Sequence, residues 1–451
     1  MNGPAVHWGM LAAVLAVTAG LAAAERGLPA DEPVRLFYRL FLAMYLLFSG
    51  IGCAYLAHGA AYFGYYTLYG AVFSLLFVGT ARFLAGHRAF FRPPGGLLLL
   101  SRAGVWRGAM AAYLLVQLVA LCYPENRLLN LLHPPRLDIN NVWHRGLVPE
   151  VTVGEKLLQY PLLLLLPVYY YGVGSLRRGG WWLKALLIAL PPYLTFCRVG
   201  YLGRSEILLS LAVLAIPFWL QHPAWRRWLL AAGLVALPFL LVAAQLFQVA
   251  RLVDTPTSLQ EEEEAFFLAA HCGYAAPAPP PPSPAGVWGM IYDQTRFPEY
   301  FEVVRRHGPR GRPAEVGRWL AGLPLPSVLV HKSPLSLNCE LATAATGIRP
   351  GDRWFFICLT GLVTEAWFLL GPWWMPLHAG LLAVFTALLV FVYGGRRRLE
   401  PVWAFVAFVG AYYLNRAGIA GSLPILINDL LLMNLAVAVT VCWAAARRRH
   451  G

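Results

Sequence analysis

An all-α, polytopic membrane fold is predicted by two observations. Hydrophobic residues make up 59% of the 451 positions and charged residues only 13%. With a mean hydropathy of +0.57, the chain is more apolar than a single soluble core can use. The apolar residues also fall in runs of about the 17–25 residues that a helix needs to cross a bilayer. These runs lie at 6–24, 36–57, 61–85, 103–122, 157–175, 180–197, 205–221, 228–248, a broad region 354–393, 401–415 and 424–445. They read as helices because lipid leaves no backbone group unpaired and the alternation required by a barrel is absent.

The first span, 6–24, has no basic segment before it and no cleavage pattern after it, so it is expected to be a retained helix. Basic residues then mark alternate span ends: Arg26, Arg35 and Arg39; His87, Arg88, Arg92 and Arg102; Arg177 and Arg178; Arg226 and Arg227; Arg396, Arg397 and Arg398; and Arg447, Arg448 and Arg449. The net charge of +14 is therefore a topology signal rather than a nucleic-acid footprint, and no nucleic-acid partner is expected. It predicts an external N-terminus, a cytoplasmic C-terminus and about eleven crossings. Three regions result: a helical region 1–248 with an external loop 123–155, a large external loop 249–353, and a C-terminal region 354–451.

Parity constrains that last region. If 354–371 and 373–393 both crossed, the triple arginine after Tyr393 would lie outside, against the basic-residue rule. The stretch 354–372, interrupted by Gly371 and Pro372, is therefore expected to be a re-entrant or broken half-helix leading into one true span. Irregular backbone at membrane depth needs protein or a water-filled cavity around it, which predicts that this piece lines a site.

The loop 249–353 holds an acidic run, Glu261 to Glu264, and a proline-rich stretch, 276–284, both suited to solvated linker. From Gly286 to Arg318, aromatic and basic residues interleave, including Trp288, Tyr292, Arg296, Tyr300, Arg305 and Arg306. Aromatic faces beside cations suit sugars and phosphates, and the same pattern suits helices lying on a membrane surface. Cys53, Cys122, Cys197, Cys358 and Cys442 lie in or at the ends of spans and read as small apolar residues. Cys272 and Cys339 share the external loop, where an oxidising compartment would allow pairing. No CxxC, HExxH or Cys/His cluster suggests a metal.

Ionisable residues at membrane depth are costly and so mark candidate sites. Arg198 and Arg204 flank a turn between two spans, with Glu206 at the start of the second. His331 and Lys332 follow a Leu-Pro-Leu-Pro segment, Glu365 lies inside the half-helix, and Asn415 and Arg416 end a late span. On the predicted topology all converge on the external face. Singly, each arginine also reads as an interfacial anchor; together they form a cationic site suited to a diphosphate.

This order of pieces resembles a family. Gly203-Arg204 opening a helix, the Leu-Pro stretch through His331, Lys332 and Asn338, the Gly361, Glu365, Gly371 half-helix and the late Asn415-Arg416-Ala-Gly look like the bacterial Wzy-type O-antigen and oligosaccharide repeat-unit polymerases. They are similar to the enterobacterial common antigen polymerase, from about residue 190 onward. The chain departs from that pattern where Ser333 separates Lys332 from Pro334, where Ala417 follows the late arginine, and in its proline-rich insertion. The resemblance implies a GT-C-like glycosyltransferase of the bacterial inner membrane with its site facing the periplasm. Such an enzyme joins polyprenyl-diphosphate-linked oligosaccharides without metal, nucleotide or other cofactor, beside membrane lipid and with a chain-length regulator as a possible partner.

The roles implied are then physical requirements. Cations must hold the diphosphate and stabilise its developing charge, for which Arg204 and Arg416 come first and Arg198 and Lys332 next. A base must stand near the acceptor hydroxyl, for which Glu365 leads and His331 follows. Glu206, Asn415, Arg296 and Tyr300 are the further substrate-binding candidates. Other readings remain open: an O-antigen ligase with the same fold, a classical GT-C transferase using Asp31-Glu32 if that pair were external, or a flippase of the same lipid-linked sugar.

Overall fold

A computed structural model of the chain describes residues 7–30, 32–55, 59–87, 103–123, 125–134, 153–176, 180–199, 361–394 and 406–416, with single positions between 213 and 235, 298 and 318, and 404 and 422. Every regular element among the described residues is helical. In chain order these are α1 (Trp8–Ala23), α2 (Glu32–Tyr45), α3 (Gly59–Gly86), α4 (Ala103–Cys122), α5 (Val153–Ser175), α6 (Trp181–Val199), α7 (Gly361–Leu370) and α8 (Met375–Gly394). A helical run also covers 406–416.

Among the described residues, three helical stretches are long and apolar enough to cross a bilayer: Trp8–Gly27, Pro33–Ala54 and Ala61–Gly86. Large apolar side chains such as Leu75, Phe83, Leu115 and Leu186 are exposed on α3, α4 and α6. In water such surfaces would be unfavourable, whereas hydrocarbon accepts them. An all-helical fold compatible with a membrane protein follows. The predicted spans 205–221, 228–248 and 424–445 lie largely outside the described residues.

The chain divides into two compact units. The first comprises 1–92, 255–395 and 407–427, and the second 93–254, 396–406 and 428–451.

In the first unit, α2 and α3 meet along an aromatic seam. Tyr38, Phe41 and Tyr45 recur at helical spacing on α2, as do Tyr62, Tyr66, Tyr69, Phe73 and Phe77 on α3. Ring centroids lie 5.5 Å apart for Tyr38 and Phe77, 3.9 Å for Phe41 and Phe73, and 4.6 Å for Tyr45 and Tyr66. The partner numbers run in opposite senses, so the two helices are antiparallel. Three tyrosine hydroxyls of this seam are satisfied by backbone or by a threonine: Tyr45 donates to Tyr66 O at 2.7 Å, Tyr38 to Leu21 O at 2.8 Å, and Tyr66 shares a 2.7 Å bond with Thr18.

The predicted single span 36–57 is in fact three pieces. After Tyr45 the helix widens into a π turn, Leu46–Gly50, and then tightens into a 3₁₀ turn, Ile51–Tyr55. Such a change of pitch redirects side chains locally, and here it makes the surface on which α7 packs.

The two ends of this unit differ in chemistry. At one end Arg39 pairs with Glu25 at 2.6 Å, Arg35 donates to Pro29 O at 3.2 Å, and Arg82 donates to Gly27 O. The α1–α2 connection and the C-terminal part of α3 therefore share the end to which the basic-residue rule assigns the cytoplasm. At the other end the His7 amide donates to Ala54 O at 2.7 Å. There Phe301, from the predicted external loop, is fully buried against Tyr62 and Tyr65 near the start of α3, at 5.2 and 5.4 Å between centroids.

In the second unit, α6 carries two adjacent prolines, Pro191 and Pro192. Proline has no N–H, so each strips a hydrogen bond from the carbonyl four residues earlier, here Leu187 O and Ile188 O. In hydrocarbon those oxygens need other donors. The hydroxyls of Tyr169 and Tyr170 on α5 supply them, at 2.9 and 3.3 Å. Removing the hydroxyl in Tyr169→Phe is expected to destabilise the fold by about 1 kcal/mol. The loss should shrink in a Pro191→Ala background, where Leu187 O regains its helical partner; denaturation of the purified protein in detergent measures both. The C-terminal carbonyls of α6 are capped in the same spirit. Asn130 Nδ2 donates to Cys197 O at 2.8 Å, and Arg127 donates to Arg198 O.

Candidate functional site

The site is built on α7. Its ten residues span about 15 Å at 1.5 Å per residue, half of a hydrocarbon core of about 30 Å. Glycines with positive φ stand at both ends, Gly361 at 69° and Gly371 at 78°. That left-handed backbone, costly for residues with a Cβ, ends the helix after Leu370 before the chain turns into α8. Nine of the ten residues are buried, including Thr364 and Glu365.

Glu365, only 1% exposed, points its carboxyl at Gly418. The approach is so close that a Cβ built on Gly418 would overlap Glu365 Oε2. Gly418 also has a φ of 70°, so two independent constraints demand glycine there. Ser422 Oγ donates to Gly418 O. A carboxyl taken from a helix of ten residues is thus seated on the backbone of a segment some fifty positions later in the chain.

The helical run that leads to Gly418 carries the other predicted residues. Asn415 is fully buried, and its Nδ2 donates to Ala411 O at 2.8 Å and to Phe41 O at 3.3 Å, tying this run to α2. Arg416 donates from Nη1 to Tyr412 Oη at 2.7 Å and lies 5.5 Å from that ring's centroid. The tyrosine fixes the guanidinium through one of its five donors and leaves the planar fork shape for a bidentate partner. Tyr412 is itself held by Phe48 of the π turn, 5.5 Å away edge to face.

Two further polar residues are buried in the same unit. The Tyr69 hydroxyl and His378 Nδ1 share a buried hydrogen bond of 3.0 Å between α3 and α8. The rule that singled out Glu365 applies equally to His378, an ionisable side chain in an apolar run. On the far side of α7, Trp367 meets Phe301 at 5.6 Å, edge to face, so the loop segment around Phe301 touches the same helix.

Of the predicted residues, Glu365, Asn415 and Arg416 are thus gathered in one unit. Arg198 stands at the end of α6 in the second unit, where its backbone carbonyl accepts from Arg127. Arg204, Glu206, Arg296, Tyr300, His331 and Lys332 lie outside the described residues, as do Cys272 and Cys339. Cys53 and Cys197 are buried free thiols, whereas Cys122 is exposed at the end of α4. Among the described residues no three His, Cys, Asp or Glu side chains gather as a metal site would require.

Fold and site together define a chain whose described elements are all helical, with apolar helices of bilayer-crossing length and, within one unit, a buried carboxyl seated on a glycine of the segment that carries a tyrosine-held arginine. No family model, curated protein or solved structure matches this chain.

Proposed function

We propose that the chain is a membrane-embedded polysaccharide polymerase. It joins polyprenyl-diphosphate-linked oligosaccharide repeat units on the periplasmic face of the bacterial inner membrane and releases polyprenyl diphosphate. The supporting observation is the seat of Glu365 on Gly418, two residues after Arg416, which sets a buried carboxyl against the segment that carries a tyrosine-tethered guanidinium. About eleven crossings and a GT-C-like architecture belong to the same reading.

The step requires an acceptor hydroxyl, a sugar carbon bonded to the diphosphate oxygen, and two kinds of protein group. Glu365 takes the proton from the hydroxyl as its oxygen bonds to the anomeric carbon. The bond from that carbon to the diphosphate oxygen breaks, and the leaving oxygen gains negative charge. Arg416, with Arg204 as its expected partner, stabilises that charge through charge-assisted hydrogen bonds. Neither a metal nor a nucleotide is required for atoms and charge to balance.

The test is turnover of a lipid-linked repeat unit in liposomes holding the purified protein. Longer saccharide on the lipid carrier is the expected product. Transfer only to a different acceptor would make the protein a ligase, and translocation without bond formation would make it a flippase. Arg416→Ala should lower turnover by about 10- to 100-fold, the range of one lost hydrogen bond to a charged group. Arg416→Lys should recover only part of it, because an ammonium lacks the fork. Normal chain length in Arg416→Ala would return this residue to an interfacial anchor.

A further inference from the structure

We infer that Phe301 is a positioning residue for the proposed reaction: the segment that carries it straps α7 from the side away from Gly418 and holds in place the helix that bears Glu365. The inference rests on the function proposed above and adds to it a residue of the predicted external loop.

The strap is itself well anchored. Pro298, Phe301, Glu302, Val304 and Arg305 are helical, and the three that recur at a spacing of three, Pro298, Phe301 and Val304, are buried. Arg305 stays exposed and donates to Glu302 Oε2 at 2.9 Å. An apolar face turned inward with an ion pair kept outside is the pattern of a helix that has docked. Its key is the Phe301 ring, which has no exposed surface. The ring centroid lies 5.2 Å from that of Tyr62 and 5.4 Å from that of Tyr65, both on α3, and 5.6 Å from that of Trp367 on α7. One side chain therefore bridges α3 and the short helix, and two of its contacts, with Tyr62 and Trp367, have the edge-to-face geometry that aromatic rings favour.

The short helix needs a hold of this kind. It has ten residues between two glycines in the left-handed region, so neither flank continues it, and packing rather than chain continuity sets its place. Trp367 is 6% exposed, and its Nε1 has no hydrogen-bond partner among the described residues. No hydrogen bond orients the indole; ring packing does. Successive residues advance by about 100° around an α-helix, so Glu365 and Trp367, two positions apart, project about 200° from one another. The carboxyl is seated on Gly418 on one face, and the indole meets Phe301 on the other. The helix is thus clamped between two segments, and a shift of the strap at Trp367 reaches the carboxyl within one helical turn. A base must stand at hydrogen-bond distance from its hydroxyl, which makes that seat sensitive to the strap.

Amide exchange of the purified protein tests the clamp without activity, and turnover in liposomes tests its role. In Phe301→Ala, exchange in 361–370 is expected to quicken by about 10-fold, with α4, α5 and α6 of the second unit as in wild type. The coupling is reciprocal, so Trp367→Ala should quicken exchange in 298–305 by a similar factor. Turnover in Phe301→Ala should fall by about 10- to 100-fold with KM for the lipid-linked substrate nearly unchanged, the effect of a catalytic group displaced by about an ångström. Phe301→Leu, which keeps an apolar anchor, should recover most of both.

Faster exchange confined to 298–305 in Phe301→Ala, with α7 and turnover as in wild type, would make Phe301 an anchor of the loop alone and overturn the inference. Faster exchange in α7 with normal turnover would overturn it as well. Should Phe301→Ala loosen the whole first unit, Phe301→Leu is the deciding variant: a residual change in α7 together with a residual loss of turnover upholds the strap, and wild-type values of both overturn it. A wild-type protein without turnover would instead overturn the polymerase reading, and exchange in α7 would then decide the strap by itself.

Discussion

Glu365→Gln is expected to leave a folded protein that binds lipid-linked oligosaccharide but turns it over about 10²- to 10⁴-fold more slowly, the usual contribution of a positioned base. The amide has nearly the shape of the carboxyl and still forms hydrogen bonds, but it does not accept the acceptor's proton. Because Glu365 is seated against Gly418 rather than exposed, the substitution should leave the packing of α7 nearly unchanged. Binding measured by co-sedimentation with substrate-loaded liposomes, set beside single-turnover rates, separates the two effects. Turnover within a few-fold of wild type would remove Glu365 as the base and pass that role to His331.

The second large effect is expected at Gly418, a residue with no side-chain chemistry of its own. Gly418→Ala meets two obstacles. A left-handed φ of 70° costs an L-residue about 1–2 kcal/mol, and the new Cβ would occupy the place of Glu365 Oε2. The carboxyl oxygen is the tip of a flexible side chain, so it yields more readily than the backbone does. The expected outcome is therefore a modest fall in thermal stability with a loss of turnover comparable to that of Glu365→Gln. Glu365→Ala in the same background should regain part of the stability and none of the activity. Full activity in Gly418→Ala would show that the carboxyl has more than one productive position and would weaken its assignment as base.

Much of the helical framework is legible from the sequence because lipid simplifies the problem. Where water is absent each backbone group must be paired within its own helix, so an apolar run of sufficient length has one regular solution. The run 103–122 coincides with α4, and the run 6–24 encloses α1. The helix ending at Leu370 is equally readable, since Gly371 and Pro372 each disfavour continuation for a stated steric reason. The change of pitch from Leu46 to Tyr55 is not readable in this way. Nothing in Leu-Leu-Phe-Ser-Gly forbids an ordinary α-helix, and the distortion arises where α7 packs on it.

The candidate site divides along the same line. Composition, run length and the placement of arginines determine by themselves that the chain is helical and apolar enough for a membrane, and that Glu365, Asn415 and Arg416 stand in surroundings where a polar group needs a reason. Arg416 meets Tyr412 four residues back on its own helical run, but tertiary structure alone decides the other partners: Glu365 with Gly418, Asn415 with the backbone of Phe41, and Tyr69 with His378. The reason is that burial cost is a local property, visible wherever a charge interrupts an apolar run. Partnership across some fifty to more than three hundred positions depends instead on how helices pack, and that information resides in side-chain shapes rather than in their order along the chain.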